Sequence, residues 1–424
     1  SIGCEITSRY FASLMQVAAF VALVFFFTES DSLLRATQTV QDRALDQLAA
    51  ILLSLKSGAS VERGSSRHGS GPGMNGKSLP KTYRALVAKQ VGNSFAEVAT
   101  VVEKPMPDVK AGEALVRVEF AGVNGGCETF RARGEHAFKS NREIRDFALG
   151  AEGVGIVAAV GEGVTNVAVG DAVCFVGAAF AEYSSVPAAF LWKIPNASAE
   201  YVGLRISALT ACAMLEQTGK LRKGEKVLIT AAAGGAGHFA VQFAKLAGCT
   251  VIGTCSSKEK AAVLCKLGCD FIINHKTQNV REKLKKIAPD GLDAILEGVG
   301  GEMLQISLDH LSPNGRLLQI GYISEYPHNK DSQKEADAHA EDTASLFWNA
   351  ETIHRGNQTI FGNAWPKDPS CMGACKDRVL SLHDEGRLTS LVDEGREFNG
   401  LDEVSAAVDY MLSGIAIGKV VVKI

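Results

Sequence analysis

Residues 226–240 read KVLITAAAGGAGHFA. KVLIT is an apolar run of strand length, and HFAVQFAKLAG, from His238 onward, has the spacing of a helix. Between them Gly235-Ala236-Gly237-His238-Phe239-Ala240 fits G-x-G-x-x-A, with Gly234 directly before it. A strand that turns through glycines into a helix makes an anion cradle. Glycine lets the backbone approach a pyrophosphate, and the helix start offers N–H groups at the positive end of its dipole. The pattern alone is weak, and its setting decides its value.

Downstream, TVIGTC, FIIN, DAILEGV and GRLLQIG are four further apolar runs separated by helical stretches such as SKEKAAVLCKLG. That alternation predicts parallel βαβ units in an α/β doubly wound sheet, with ligands at the carboxyl ends of its strands. The glycine loop then reads as the pyrophosphate site of a dinucleotide. An NAD-preferring site ends its second strand in Asp or Glu, for the ribose 2′-hydroxyl. Here the strand runs into Gly253-Thr254-Cys255-Ser256-Ser257-Lys258-Glu259-Lys260. Ser256, Ser257 and Lys260 stand where a carboxylate would be expected and suit a 2′-phosphate, with Lys258 read as solvent-facing. The expected cofactor is NADPH.

Upstream, from Tyr83 to about Val186, short β runs (ALVRVEF, GVGIVAAVG, DAVCFVG, FAEYSSV) predict a small antiparallel barrel. DEVSAAVDYMLSG and GKVVVKI, at the end of the chain, read as a helix and a strand that return to this first domain. The 424 residues suffice for two or three domains. A net charge of −3 leaves no basic footprint for nucleic acid. Ten cysteines in a chain this long are not a disulfide scaffold. Cys174, Cys212 and Cys265 sit singly in apolar runs, as buried thiols do. Cys371 and Cys375 form an isolated CxxxC, too little for a metal site.

The first eighty residues differ. Tyr10–Thr28 carries no charge and, at about 1.5 Å per residue, can just cross a hydrocarbon core of about 30 Å. It reads as a membrane span or membrane-buried helix, and a signal-peptide h-region is the competing reading. A start at Ser1 without Met favours a retained segment of a processed or incomplete chain. Beyond it, Leu45, Leu48, Leu52 and Leu55 make one apolar helix face, suited to a bilayer surface, a partner subunit or this protein's own body. Residues 57–81 are a Gly/Ser-rich linker.

KVLITAAAGGAGHFAVQFAK, VIGTCSSKEK, LGCDFIINHKT, GVGG, GRLLQIGYIS and the final GKVVV resemble the medium-chain dehydrogenase/reductase superfamily. Within it, residues 82–424 are most similar to the zinc-free quinone oxidoreductases and prostaglandin reductases. The resemblance implies a GroES-like catalytic domain over 82–206, a Rossmann NADP-binding domain over 207–370 and a return to the catalytic domain over 371–424. Hydrophobic and amphipathic helices (1–56) and the linker would precede them. It implies reduction of an α,β-unsaturated ketone or a quinone by NADPH, and a homodimer.

Site residues carry over by position. Tyr326, in Gly321-Tyr322-Ile323-Ser324-Glu325-Tyr326 just past a parallel strand, matches the tyrosine of the I-S-x-Y segment. It is the expected donor to the developing enolate oxygen. Asn124 matches the family's G-V-N and would orient substrate or nicotinamide. Thr210 in SALTACA, Gly298 and Gly300 in EGVGG, and Lys419 in GKVVV match cofactor positions. His275 replaces the tyrosine of the N-Y-K segment at the 2′-phosphate, and histidine can still donate there. Asn363 and Ala364 replace bulky aromatics, which reshapes the expected pocket.

Zinc members carry Cys after the first strands and then G-H-E. Here Gly122-Val123-Asn124 and Gly150-Ala151-Glu152 lack both ligands, and a catalytic zinc needs three from the protein. The cysteine-rich lobe of a structural zinc is also missing, and Cys127 reads as a core or pocket thiol. No metal is expected.

Two functions stay open at this stage. One is an NADPH-dependent enone or quinone reductase. The other is an accessory subunit of a membrane complex, with a nucleotide-binding but weakly active reductase fold, joined to other subunits through residues 10–56. The first residues would place it at a plastid or mitochondrial inner membrane, the alternative being the cytoplasm. The C-terminal VVKI is no peroxisomal signal.

Overall fold

Alternating patterns become strands where the chain has both β-branched residues and a face to bury. The first are β1 (Thr82–Ala88), β2 (Ala99–Pro105) and β3 (Glu113–Gly122), then the short β4 (Glu135–His136), β5 (Lys139–Ser140) and β6 (Phe147–Ala148). Next come β7 (Glu152–Val160), β8 (Ala172–Val176), β9 (Tyr183–Pro187) and β10 (Trp192–Ile194). β1, β2 and β6 form a three-stranded sheet in the order β2-β1-β6, β4 pairs with β5, and β3, β7, β8, β9 and β10 form most of a second, larger antiparallel sheet. In this computed structural model the described residues are 79–132, 135–136, 139–140, 147–326, 352–362 and 370–424. The apolar stretch 10–28, the Leu-faced stretch, nearly all of the linker, Asn363 and Ala364 lie outside them. Among the described residues no helix is long and apolar enough to cross a membrane.

The glycine-loop region forms a seven-stranded sheet. Its strands are β11 (Lys226–Ile229), β12 (Thr250–Cys255), β13 (Phe271–Asn274), β14 (Leu292–Glu297), β15 (Leu311–Gln319), β16 (Ile353–Arg355) and β17 (Gln358–Phe361). The order is β13-β12-β11-β14-β15-β17-β16, parallel except for β16. The chain leaves β11 outward in both directions, so a crevice opens between β11 and β14, where doubly wound sheets bind ligands. The last strand, β18 (Val421–Lys423), pairs antiparallel with β3, completing the second sheet as β10-β8-β7-β3-β18 with β9 also on β3.

The helix Gly237–Leu246 shows why the cradle is firmly set. Every residue from Gly237 to Ala244 is buried, with Phe239 and Phe243 at 0% exposure in the core that holds β11 and β12. Each such phenylalanine is worth roughly 1.5–3 kcal/mol of burial. A second core, around Phe175, Phe180 and Phe398, lies under the antiparallel sheets. One expectation fails: Cys265 is exposed, on the outer face of the helix Lys258–Lys266, whereas Cys174 and Cys212 are buried. Its apolar neighbours are those of an amphipathic helix, and position 265 falls on the wet side.

Candidate active site

The strand order puts the singled-out residues in one row. Each lies just past the carboxyl end of a parallel strand: His275 after β13, Ser256 and Ser257 after β12, the glycine loop after β11, Gly298–Gly300 after β14 and Tyr326 after β15. At the ordinary strand spacing of about 4.8 Å, the row spans roughly 19 Å.

At its centre, Ala231 has φ +46°, a left-handed turn that swings the chain off β11. A Cβ on Gly237 would stand 2.4 Å from the Ala231 carbonyl oxygen, so only glycine fits there. On Gly235 the nearest atom would be Ser207 Oγ at 3.5 Å, which leaves an open floor. Ala236 precedes the helix and offers no capping side chain, and the first-turn His238 N–H bonds back to the Gly234 carbonyl at 3.1 Å, which closes the helix start on the loop. His238, fully buried, clamps the turn. Leu391 N–H donates to its Nε2 at 3.1 Å, so Nδ1 carries the proton and donates to the Gly234 carbonyl at 2.9 Å. Burial pulls this imidazole down to about 4, which keeps it neutral. Gln242, one turn on, exchanges both amide bonds with the Thr389 backbone.

At one end of the row the charge is positive. Lys260 is buried, and its ammonium donates to the Gly414 carbonyl at 2.6 Å. Burial, and then the charge of Lys276, lower its pKa. His275 is exposed as a residue, yet partial burial of its ring, followed by the charges of Lys276 and Lys260, lowers its pKa too. Ser257 spends its hydroxyl as the cap of the following helix, accepting from Lys260 N–H at 3.2 Å. Ser256 is half-buried and Lys258 exposed. Lys260 and Lys276 gathered beside a histidine suit a dianionic phosphate.

At the other end, Glu297, fully buried, accepts from Val299 N–H at 2.8 Å and from Gly300 N–H at 3.1 Å. This shapes the turn in which Gly300 takes φ +79°. Thr230 Oγ1 accepts from Gly298 N–H at 2.9 Å, tying that turn to the glycine loop. Tyr326 is only 5% exposed, with its ring edge-to-face on Tyr322 at 5.1 Å. A Cβ on Gly321 would meet its hydroxyl at 3.1 Å, and one on Gly125 would meet its ring at 3.5 Å. The tyrosine therefore lies against the turn that carries Asn124.

Asn124 is held on both sides. Its Nδ2 donates to Glu152 Oε1 at 2.9 Å, and Lys419 Nζ donates to its Oδ1 at 2.7 Å. Lys419 and Glu152, 2% and 0% exposed, form an ion pair at 2.5 Å. A Cβ on Gly235 would pass 3.6 Å from Lys419 Cδ, so the lysine runs from the cradle to Asn124. Thr210 lies buried in the helical run 204–218, whose ends Leu204–Ala208 and Ala213–Thr218 have the wider π-helical turn. Among the described residues no three His, Cys, Asp or Glu side chains gather as metal ligands.

Ser207, His238, Glu297 and Glu152 were not singled out from the sequence as site residues. For Glu297 a signal exists, since an acidic residue directly before Gly-x-Gly-Gly can accept the N–H groups of that turn. His238 bonds a backbone 153 residues away, which no local pattern shows.

A doubly wound sheet with a glycine cradle, a cationic end and a tyrosine end, joined to antiparallel sheets that supply Asn124, defines a two-domain nucleotide-dependent oxidoreductase. Family models agree: "Alcohol dehydrogenase GroES-like domain" matches residues 110–196, and "Zinc-binding dehydrogenase" matches residues 235–368. The chain is 38% identical to prostaglandin reductase-3 of Mus musculus over 358 residues, 82% of this chain and 91% of that protein. It is 35% identical to a probable quinone oxidoreductase of Leishmania amazonensis over 350 residues, 82% of this chain and 99% of the other. Among solved structures, the CurK enoyl reductase superposes with a TM-score of 0.64 at 26% identity, covering 81% of this chain and 99% of that one. The chain belongs to the medium-chain dehydrogenase/reductase superfamily, in the branch of the quinone oxidoreductases and prostaglandin reductases. It is an oxidoreductase of that branch.

Proposed function

We propose that this chain is an NADPH-dependent, zinc-independent reductase that saturates the C=C bond of an α,β-unsaturated ketone or reduces a quinone. The observation that carries the reading is the burial of Tyr326 against Gly321 and Gly125, beside Asn124 and next in the row to Gly298–Gly300. The names of its relatives, reductases of prostaglandins and quinones, support the same chemistry.

Bound NADPH would supply the hydride. The cradle Gly234–Gly237 and the helix start behind it would hold the pyrophosphate. Ser256, Lys260 and His275, with Lys276 beside them, would receive the 2′-phosphate, and Ser257 would keep its helix in place. Thr210, Gly298, Gly300 and Lys419 would border the rest of the cofactor. As charge gathers on the carbonyl oxygen of the enone, the Tyr326 O–H and an Asn124 N–H donate to it. Donors fixed in advance in a dry site lower a barrier by about 3 kcal/mol each. They take the polarising role that metal has in zinc members, since Ala151 has no ligating atom and Asn124 is engaged by Lys419 and Glu152. The limits 82–206, 207–370 and 371–424 belong to the same proposal, with residues 371–424 supplying Lys419. No observation favours the membrane-subunit reading, whose residues lie outside the described ones.

Fluorescence titration of the full chain tests the cofactor. NADPH should bind in the micromolar range and NADH at least about tenfold more weakly, a difference of about 1.4 kcal/mol. No NADPH binding at micromolar concentration would sink the reading.

A further inference from the structure

We infer that Glu152 is a positioning residue of this site: with Lys419 it fixes the direction of the Asn124 amide, leaving one amide N–H for the carbonyl oxygen of the substrate. The inference rests on the reductase reading and adds residues to it.

Three side chains close a ring. Lys419 Nζ donates to Asn124 Oδ1 (2.7 Å) and to Glu152 Oε1 (2.5 Å), and Asn124 Nδ2 donates to the same Glu152 oxygen (2.9 Å). An amide between an ammonium and a carboxylate has one stable orientation, oxygen to the cation and nitrogen to the anion. Its NH₂ group carries two hydrogens, and Glu152 accepts one of them. The second Glu152 oxygen accepts from Ile206 N–H at 2.8 Å, at the start of the helical run that carries Ser207 and Thr210. Gly122 makes room for this, since a Cβ there would stand 2.9 Å from Glu152 Oε1. One fully buried carboxylate thus ties together the turn after β3, the lysine that passes the cradle, and the Thr210 helix.

The test uses the full chain and the variants Glu152→Gln, Lys419→Met and the double variant. Thermal midpoint, NADPH affinity by fluorescence, and kcat and KM with cyclohexenone are measured on each. Breaking a buried ion pair on one side leaves an uncompensated charge, so each single variant should lose midpoint, and the double variant should regain most of it. Turnover should behave otherwise. Each charge fixes one end of the amide, so losing either loosens its direction and losing both removes it; kcat should stay down by roughly tenfold or more in all three, while NADPH affinity of Glu152→Gln stays near that of the wild type. The double variant, with its NADPH affinity read beside kcat, also decides the matter if the single variants do not fold.

Recovery of kcat together with the midpoint would overturn the inference and make the ring purely structural. So would a Glu152→Gln loss of kcat that is matched by lost NADPH affinity. An inactive wild-type chain would instead overturn the reductase reading, whatever the variants do.

Discussion

At the scale of single residues, the chemistry is assigned to hydroxyl, amide and imidazole groups. Tyr326→Phe keeps the ring against Tyr322 and removes only the O–H, so the fold should stand and NADPH should still bind. Steady-state kinetics with cyclohexenone should show kcat lower by on the order of a hundredfold, as for a lost oxyanion donor. His275 makes a different prediction. Its folded pKa is lowered by partial burial and by Lys276 and Lys260, so it is neutral at pH 7 without ligand. A 2′-phosphate favours the protonated ring, so binding should take up a proton and tighten as pH falls from 7.5 toward 6, around the ordinary histidine range near 6.5. Titrations of NADPH and NADH across that range should show their ratio of affinities widening at low pH, and His275→Tyr should flatten it. Equal pH dependence for both cofactors would place His275 away from the phosphate. Much of this end was legible, because Ser256, Lys260 and His275 sit close to strand ends that can be read locally. Glu152 was not: read alone it is the remnant of a metal motif. Its meaning comes from Lys419 and from Asn124, which is 295 residues from that lysine in the chain.

At the scale of elements, the glycine loop separates fold from ligand. Gly237→Ala forces a Cβ against the Ala231 carbonyl, so thermal midpoint and NADPH affinity should fall together. Gly235→Ala meets nothing nearer than 3.5 Å, so its midpoint should match the wild type while NADPH affinity falls about tenfold or more. Unchanged affinity in Gly235→Ala would remove the pyrophosphate from this loop. The clamp by His238 makes a stability prediction. Its folded pKa of about 4 lies below the ordinary value near 6.5. The unfolded chain therefore binds a proton between these values when the native one does not, and stability is lost as pH falls through that window. The whole effect has a ceiling of about 3 kcal/mol. In urea unfolding at pH 7, His238→Gln should be less stable than the wild type, and the gap should narrow toward pH 4.5. A gap that is constant with pH would contradict the neutral clamp. The strand–loop–helix of this element was plain in KVLITAAAGGAGHFA. The π-helical turns at Leu204–Ala208 and Ala213–Thr218 were not, because an apolar helix looks the same at either winding.

At the scale of the whole molecule, alternation of strands and helices was enough for the parallel sheet, since each βαβ unit is written in one continuous stretch. The order β13-β12-β11-β14-β15 converts five separate motifs into one row. The antiparallel half was legible only as short β runs. Its pairings join distant segments, as when β18 pairs with β3, and no local pattern specifies them. That pairing matters for function. It carries Lys419 between the glycine cradle and Asn124, and His238 and Gln242 hold the neighbouring stretch Thr389–Leu391. The two halves of the site are therefore tied together through this stretch and should unfold cooperatively.

The central claim is that this row and its tyrosine end form a working enone or quinone reductase. The most direct measurement is NADPH oxidation by the full chain with cyclohexenone as acceptor, alongside Tyr326→Phe, with NADPH affinity measured on both. The account predicts saturable, acceptor-dependent oxidation by the wild type, and loss of nearly all of it in the variant at unchanged NADPH affinity. Acceptor-dependent oxidation at the same rate in both proteins, or none in the wild type despite bound NADPH, would contradict it.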